Sequence, residues 1–214
     1  MEIKTIKPEY THYQTIIILH GLKQQIPDIM YIINKIKKKK VGIKFVIPIA
    51  NKMDISWPDG IEKNCTSWYN YFTRCDNLIE HDIINLVEFE NNTNIIADLI
   101  KKESKIIDPK FITLIGLSQG GTICINAALR LNITLKSVKC IDTIFLHTYY
   151  KYTSCKKQNF QVLQSKKDDI YNPMFQNYCY DLLREYNHNV NIYHRDTFHC
   201  ENMDSITSFI LKNY

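Results

Sequence analysis

The stretch that most constrains this chain runs from Phe111 to Arg130: a β-branched apolar segment, a turn of small residues, then an Ala/Leu-rich helical pattern. At the corner stands Gly116-Leu-Ser118-Gln-Gly120, followed at once by Gly121. Glycines on either side of a serine at a strand-to-helix corner permit a turn so sharp that the serine backbone is strained and its Oγ is exposed. Such a corner belongs to a parallel strand feeding a helix, so the flanking chain must supply a sheet.

It does so in alternation. Thr15 to His20 is a short continuous apolar run ended by Gly21, as expected of a strand buried on both faces. Ile26 to Lys40 follows as a helix with Pro27 in its first turn, then Gly42 to Ile47 as a strand stopped by Pro48. Ile49 to Arg74 has no clean period and reads as a long loop of a functional kind. Thr93 to Ser104 returns to helical spacing. Beyond the corner, Val138 to Leu146 and Phe160 to Leu163 read as strands with loop at Tyr149 to Lys157 between them. Tyr171 to His188 reads as helix, Val190 to Tyr193 as strand, and Glu201 to Lys212 as a closing helix. Alternation of this kind predicts an α/β fold: a mostly parallel central sheet with helices on both faces.

With 214 residues and no shift of composition, one domain over 1–214 is expected. The net charge of +5 is concentrated in Lys35 to Lys40, where cations complement the C-terminal end of the first helix, so no nucleic-acid partner is expected. Seven cysteines, an odd number without Cys-x-x-Cys or paired zinc spacing, fit reduced thiols and no metal site. Together with the absence of a secretory segment or an apolar membrane span, they point to a cytoplasmic protein.

The serine corner resembles the nucleophile elbow of the α/β hydrolases, in which an acid and then a histidine follow the serine along the chain. Ser118 is then the nucleophile, and it needs a base held by a carboxylate. His199, between the last strand and the closing helix, is placed to reach over the carboxyl edge of the sheet; His194 is the competitor, and His188 and His147 read as structural. The acid belongs in the segment after Phe160 to Leu163, where Asp168 is preferred and adjacent Asp169 is the alternative. Backbone N–H groups of Gln119, next to the nucleophile, and of Leu22, in the loop after the first strand, are the expected oxyanion donors. The alternative reading of Leu22 is a core leucine that begins a helix.

More narrowly, the chain resembles the acyl-protein thioesterase and carboxylesterase branch of these enzymes, the phospholipase/carboxylesterase family, from about Thr15 to the C-terminus. The likeness rests on His20-Gly21-Leu22, on Phe45 to Pro48 followed by a loop closing on Ser67-Trp68-Tyr69, on Gly116 to Gly121, and on a histidine before an amphipathic last helix. It implies an α/β-hydrolase fold without a large lid domain, no cofactor or metal, and hydrolysis of acyl thioesters on proteins, small carboxylic esters or lysolipids, with transient contact at membrane surfaces. It also implies a substrate-side role for Trp68, whose plain alternative is packing, and a fatty-chain groove near Trp68 and Tyr149. Trp57 matches no position of the family and reads as loop packing. Two departures stand out. Lys23-Gln24 replaces the Gly-Asp that commonly follows His-Gly-Leu, and Gln164 to Asp168 replaces His-Gly-x-x-Asp, an alignment that favours Asp168 as the acid. The altered oxyanion loop also supports a second reading, a hydrolase-fold binding protein with little or no turnover. A peptidase fits less well, because the chain is too short for an added lid or propeller.

Overall fold

The computed structural model describes residues 1–78, 80–150 and 155–212. Its centre is a seven-stranded sheet in the order β1-β3-β2-β6-β7-β8-β9. The strands are β1 (Glu2–Ile6), β2 (Gln14–Leu19), β3 (Ile43–Ile49), β6 (Ile112–Leu117), β7 (Ser137–Ile141), β8 (Asn159–Ser165) and β9 (Asn189–Arg195). Only the edge strand β1 runs antiparallel to its neighbour; the other pairs are parallel. A separate antiparallel hairpin is made by β4 (Lys52–Trp57) and β5 (Gly60–Thr66).

Helices α1 (Ile26–Lys37) and α5 (Met203–Lys212) cover one face, and α2 (Leu86–Glu103), α3 (Gln119–Ala128) and α4 (Pro173–Glu185) the other. The central strand β2 shows the division: Ile16 and Ile18 pack with Ile29, Ile32 and Ile33 of α1 and Ile206 of α5, while Ile17 and Leu19 face α2 and α3. Alternate residues of a strand point to opposite faces, so a strand covered on both sides must be apolar throughout. The expected α/β architecture is thus the observed one.

Several boundaries differ from those read in the sequence. Pro48 does not stop β3, which continues to Ile49; β2 pairs with β3 only as far as Val46, so Pro48 has β1 alone beside it. A proline is tolerated where one side of the ladder is missing. The segment Ile49 to Arg74 is largely the β4–β5 hairpin rather than loop, and Trp57-Pro58-Asp59-Gly60 is its turn. The edge strand β1 was also unforeseen. β7 ends at Ile141 instead of Leu146, because Asp142 adopts φ 41° and turns the chain out of the ladder. Of the loop expected from Tyr149 to Lys157, residues 151–154 lie outside the described part. No described helix is long and apolar enough to cross a membrane.

Candidate active site

Ser118 links β6 to α3 with φ 48° and ψ −124°. That is sparsely populated backbone for a residue with a side chain, costing about 1–3 kcal/mol, and the surroundings over-determine it. The Ser118 N–H donates to the Ile141 carbonyl (2.9 Å), while its own carbonyl accepts from Thr143 Oγ1 (2.7 Å) and the Gly121 N–H (2.8 Å). The flanking glycines are required by contact: a Cβ on Gly116 would lie 2.5 Å from the Gly121 Cα, and one on Gly120 would overlap the His20 carbonyl oxygen. The elbow is therefore packed directly against the end of β2.

Ser118 Oγ lies 2.8 Å from His199 Nε2, and His199 Nδ1 lies 2.9 and 3.0 Å from the two carboxylate oxygens of Asp168. Asp168 is buried, and its carboxylate also accepts from the Ile170 and Tyr171 N–H groups (2.9 and 2.8 Å) and from Gln176 Nε2 (2.9 Å). The adjacent carboxylates are separated by role: exposed Asp169 accepts from the backbone N–H of His199 at 3.4 Å, not from its ring. Burial alone would lower the pKa of His199, but the neighbouring Cys200 sulfur and the Asp168 carboxylate outweigh it and raise it well above 6.5. His194 sits exposed on β9, His188 Nδ1 accepts from the Gln158 N–H, and His147 packs edge-on to His81 and Tyr178. None of the three is brought to Ser118.

The two expected oxyanion donors lie beside Ser118. Leu22, half-buried, lines the same cleft as Ser118, and Gln119 opens α3. Among the described residues, neither N–H has a protein acceptor. The loop carrying Leu22 is held by residues that depart from the family pattern. Gln24 Oε1 accepts the Gly21 N–H (2.6 Å), Lys23 takes φ 61°, and its N–H donates to the Thr66 carbonyl (2.9 Å). His20, wholly inside, bonds through Nδ1 to the Gly21 carbonyl (2.7 Å) and accepts the Ala50 N–H at Nε2 (3.1 Å). These partners fix the neutral ring with its proton on Nδ1, and burial lowers its pKa.

Trp68 does not line the cleft that holds Ser118. It is fully buried, its indole N–H donates to the His20 carbonyl (2.8 Å), and its backbone N–H donates to Gln119 Oε1 (2.9 Å). The amide of Gln119 also donates to the Tyr69 carbonyl (2.9 Å), so this one side chain ties the elbow to the loop at residues 67–69. An indole so enclosed packs against the loop that carries His20 and Gly21, as the packing alternative has it. The tryptophan facing the cleft is Trp57, which lines it together with Leu22, Tyr71, Tyr171 and Ser118.

A buried charge pair that sequence reasoning missed supports the histidine loop. Asp142, inaccessible to solvent, accepts from Arg195 Nη2 (2.5 Å), the Ser165 N–H and Oγ (2.7 and 2.9 Å) and the Cys200 N–H (2.8 Å). Asp142, His199 and Cys200 bring one ligand atom each within 4.8 Å. A cation there would sit against the fixed guanidinium of Arg195, so the cluster suits an internal ion pair better than a metal. The seven cysteines are unbridged.

The sequence profile of the Phospholipase/Carboxylesterase family, an α/β-hydrolase family, matches residues 2–213. Zea mays acyl-protein thioesterase 2 superposes with a TM-score of 0.74 at 18% identity, covering 99% of this chain and 98% of its own. The Bacillus cereus carboxylesterase gives 0.76 at 14% identity, over 100% and 95%. At such identities the likeness concerns the fold, which is that of an α/β hydrolase with no large lid evident among the described residues. No curated protein matches the chain in sequence.

Proposed function

The chain belongs to the phospholipase/carboxylesterase family, and on that premise we propose that it is a serine hydrolase of carboxylic esters or acyl thioesters, working through Ser118, His199 and Asp168. The observation that carries this reading is the unbroken line from Ser118 Oγ through the His199 ring to the Asp168 carboxylate, with contacts of 2.8 and 2.9 Å.

His199 Nε2 takes the Ser118 proton as Oγ attacks the substrate carbonyl carbon. The developing oxyanion is received by the N–H groups of Leu22 and Gln119, and Asp168 holds the imidazole and stabilises its cation. Collapse of the tetrahedral species breaks the bond to the alcohol or thiol, which leaves with the proton from His199. Water, deprotonated by the same ring, then releases the acid and restores Ser118. Gln24 supports turnover over the binding-only alternative, since it anchors Gly21 and leaves the Leu22 N–H open. Acyl-protein thioesterase and carboxylesterase activities are those of the structural neighbours, and the substrate proposed here is drawn from that class.

The assignment is tested with nitrophenyl esters. Replacing Asp168 by Asn is expected to lower kcat by roughly 10⁴, as loss of the orienting carboxylate does in such triads; Asp169→Asn should stay within about tenfold of wild type. Loss of turnover in folded Asp169→Asn alone would overturn the choice of acid.

A further inference from the structure

The cleft that holds Ser118 has a volume of about 140 Å³. A dry cavity of about 150 Å³ accommodates one benzene, so this one has room for on the order of six non-hydrogen atoms. The groove expected near Trp68 and Tyr149 does not enlarge it, because Trp68 is enclosed and neither residue lines this cleft. A larger cavity of about 570 Å³ lies between β9 and α5 and does not include Ser118.

The small size has a structural cause. Trp57, at the end of β4, stacks on Tyr71 with centroids 5.0 Å apart and planes inclined by 21°. On Trp57 the Arg74 guanidinium also rests, 5.5 Å from the ring centroid, itself bonded to Asp76 (2.8 Å). The indole N–H donates to Glu62 (3.2 Å), whose carboxylate is paired with Lys23 (2.5 Å). The indole is thus fixed by ring contact, by a cation and by a hydrogen bond, and one of those bonds leads back to the oxyanion loop. Lys23, Arg74, Asp76 and Asp82 also line the cleft. An alkyl chain longer than the cleft would leave the aromatic wall and lie across ionised groups, gaining no apolar burial there.

We propose that this chain is a short-acyl hydrolase, taking acyl groups of up to about six carbons, with Trp57 as the wall that sets the limit. The inference rests on the hydrolase reading above and narrows its substrate: long-chain acyl proteins and lysolipids are disfavoured, and short-chain esters and thioesters are favoured.

The test is kcat/KM for nitrophenyl esters from acetyl to dodecanoyl, kept below their micelle concentrations, on wild type and Trp57→Ala. A pocket that went on burying chain would raise kcat/KM about fourfold per methylene. The expected result is a dodecanoyl-to-butyryl ratio below one for wild type, moving upward in Trp57→Ala. A wild-type ratio above one overturns the length limit while leaving the hydrolase intact. An unchanged ratio in folded Trp57→Ala overturns the role of Trp57. Turnover of no ester at any length removes the hydrolase reading itself and this inference with it.

Discussion

Replacing Arg195 by Met breaks the ion pair beneath the histidine loop, along with the bonds from Arg195 to Ser165 Oγ and the Glu201 carbonyl, and the double variant separates the pair from these. Asp142 is fully buried and faces one cation and three neutral donors, and Arg195 is 8% exposed. Removing one partner of a buried pair leaves an uncompensated charge and costs about 3–5 kcal/mol. The Ser165 and Cys200 donors remain, so the lower end, about 3 kcal/mol, is expected. Asp142→Asn is the matched partner change, since Asn tolerates the φ of 41° at this position. Urea unfolding followed by tryptophan fluorescence gives the stabilities of the single and double variants. The double variant should lose less than the sum of the singles by at least about 1 kcal/mol, because the second change removes a charge that the first left stranded. The loop should feel the loss too: Cys200, whose N–H Asp142 holds, follows His199 directly, so ester turnover should fall in folded Arg195→Met. A single-variant loss under about 1 kcal/mol, or strict additivity, would refute the assignment.

Gly120→Ala should leave little folded protein, because the new Cβ meets the backbone oxygens of His20 and Leu19 and neither can swing aside; a thermal melt close to wild type would contradict this. His20 is held neutral in the native state with its pKa lowered by burial, so below about pH 6.5 the unfolded chain takes up a proton that the native chain refuses, and stability falls with acidification by up to about 1.4 kcal/mol per pH unit. Since His199 titrates in the opposite sense, the informative quantity is the difference between wild type and His20→Gln: the variant should lose less stability between pH 7.5 and 5.5, measured by urea midpoints. The kcat/KM of wild type should rise with pH through a midpoint above 6.5, where His199 loses its proton, and Asp168→Asn should move that midpoint down.

Much of the sheet was legible because parallel strands buried on both faces are unbroken apolar runs, as in Ile16 to Leu19 and Leu114 to Leu117. The elbow was legible for a stereochemical reason, since only glycine fits on either side of a serine packed so tightly. The β4–β5 hairpin was hidden by its exposure: Lys52, Asp54, Glu62 and Lys63 interrupt any apolar alternation, although Pro58-Asp59-Gly60 is a turn signal that was there to be read. The family resemblance singles out Trp68 and has no position for Trp57, so only the three-dimensional path of the hairpin brings the Trp57 indole to the cleft. No local pattern could have revealed the Asp142–Arg195 pair, which joins residues 53 positions apart through the ends of β7 and β9. Gln119 illustrates a mixed case: its place at the start of α3, directly after Ser118, is read from the sequence, while its amide bonds to residues 67–69 depend on tertiary contact.

The central claim is that Ser118 is an activated nucleophile. Labelling with a fluorophosphonate probe tests it most directly, because the reagent requires a serine deprotonated by a neighbouring base and an oxyanion site to receive the phosphoryl oxygen. Wild-type protein should be labelled stoichiometrically, with the modification on Ser118, and folded Ser118→Ala should not be labelled. Folded wild-type protein that resists the probe, or labelling that persists in Ser118→Ala, would contradict the account.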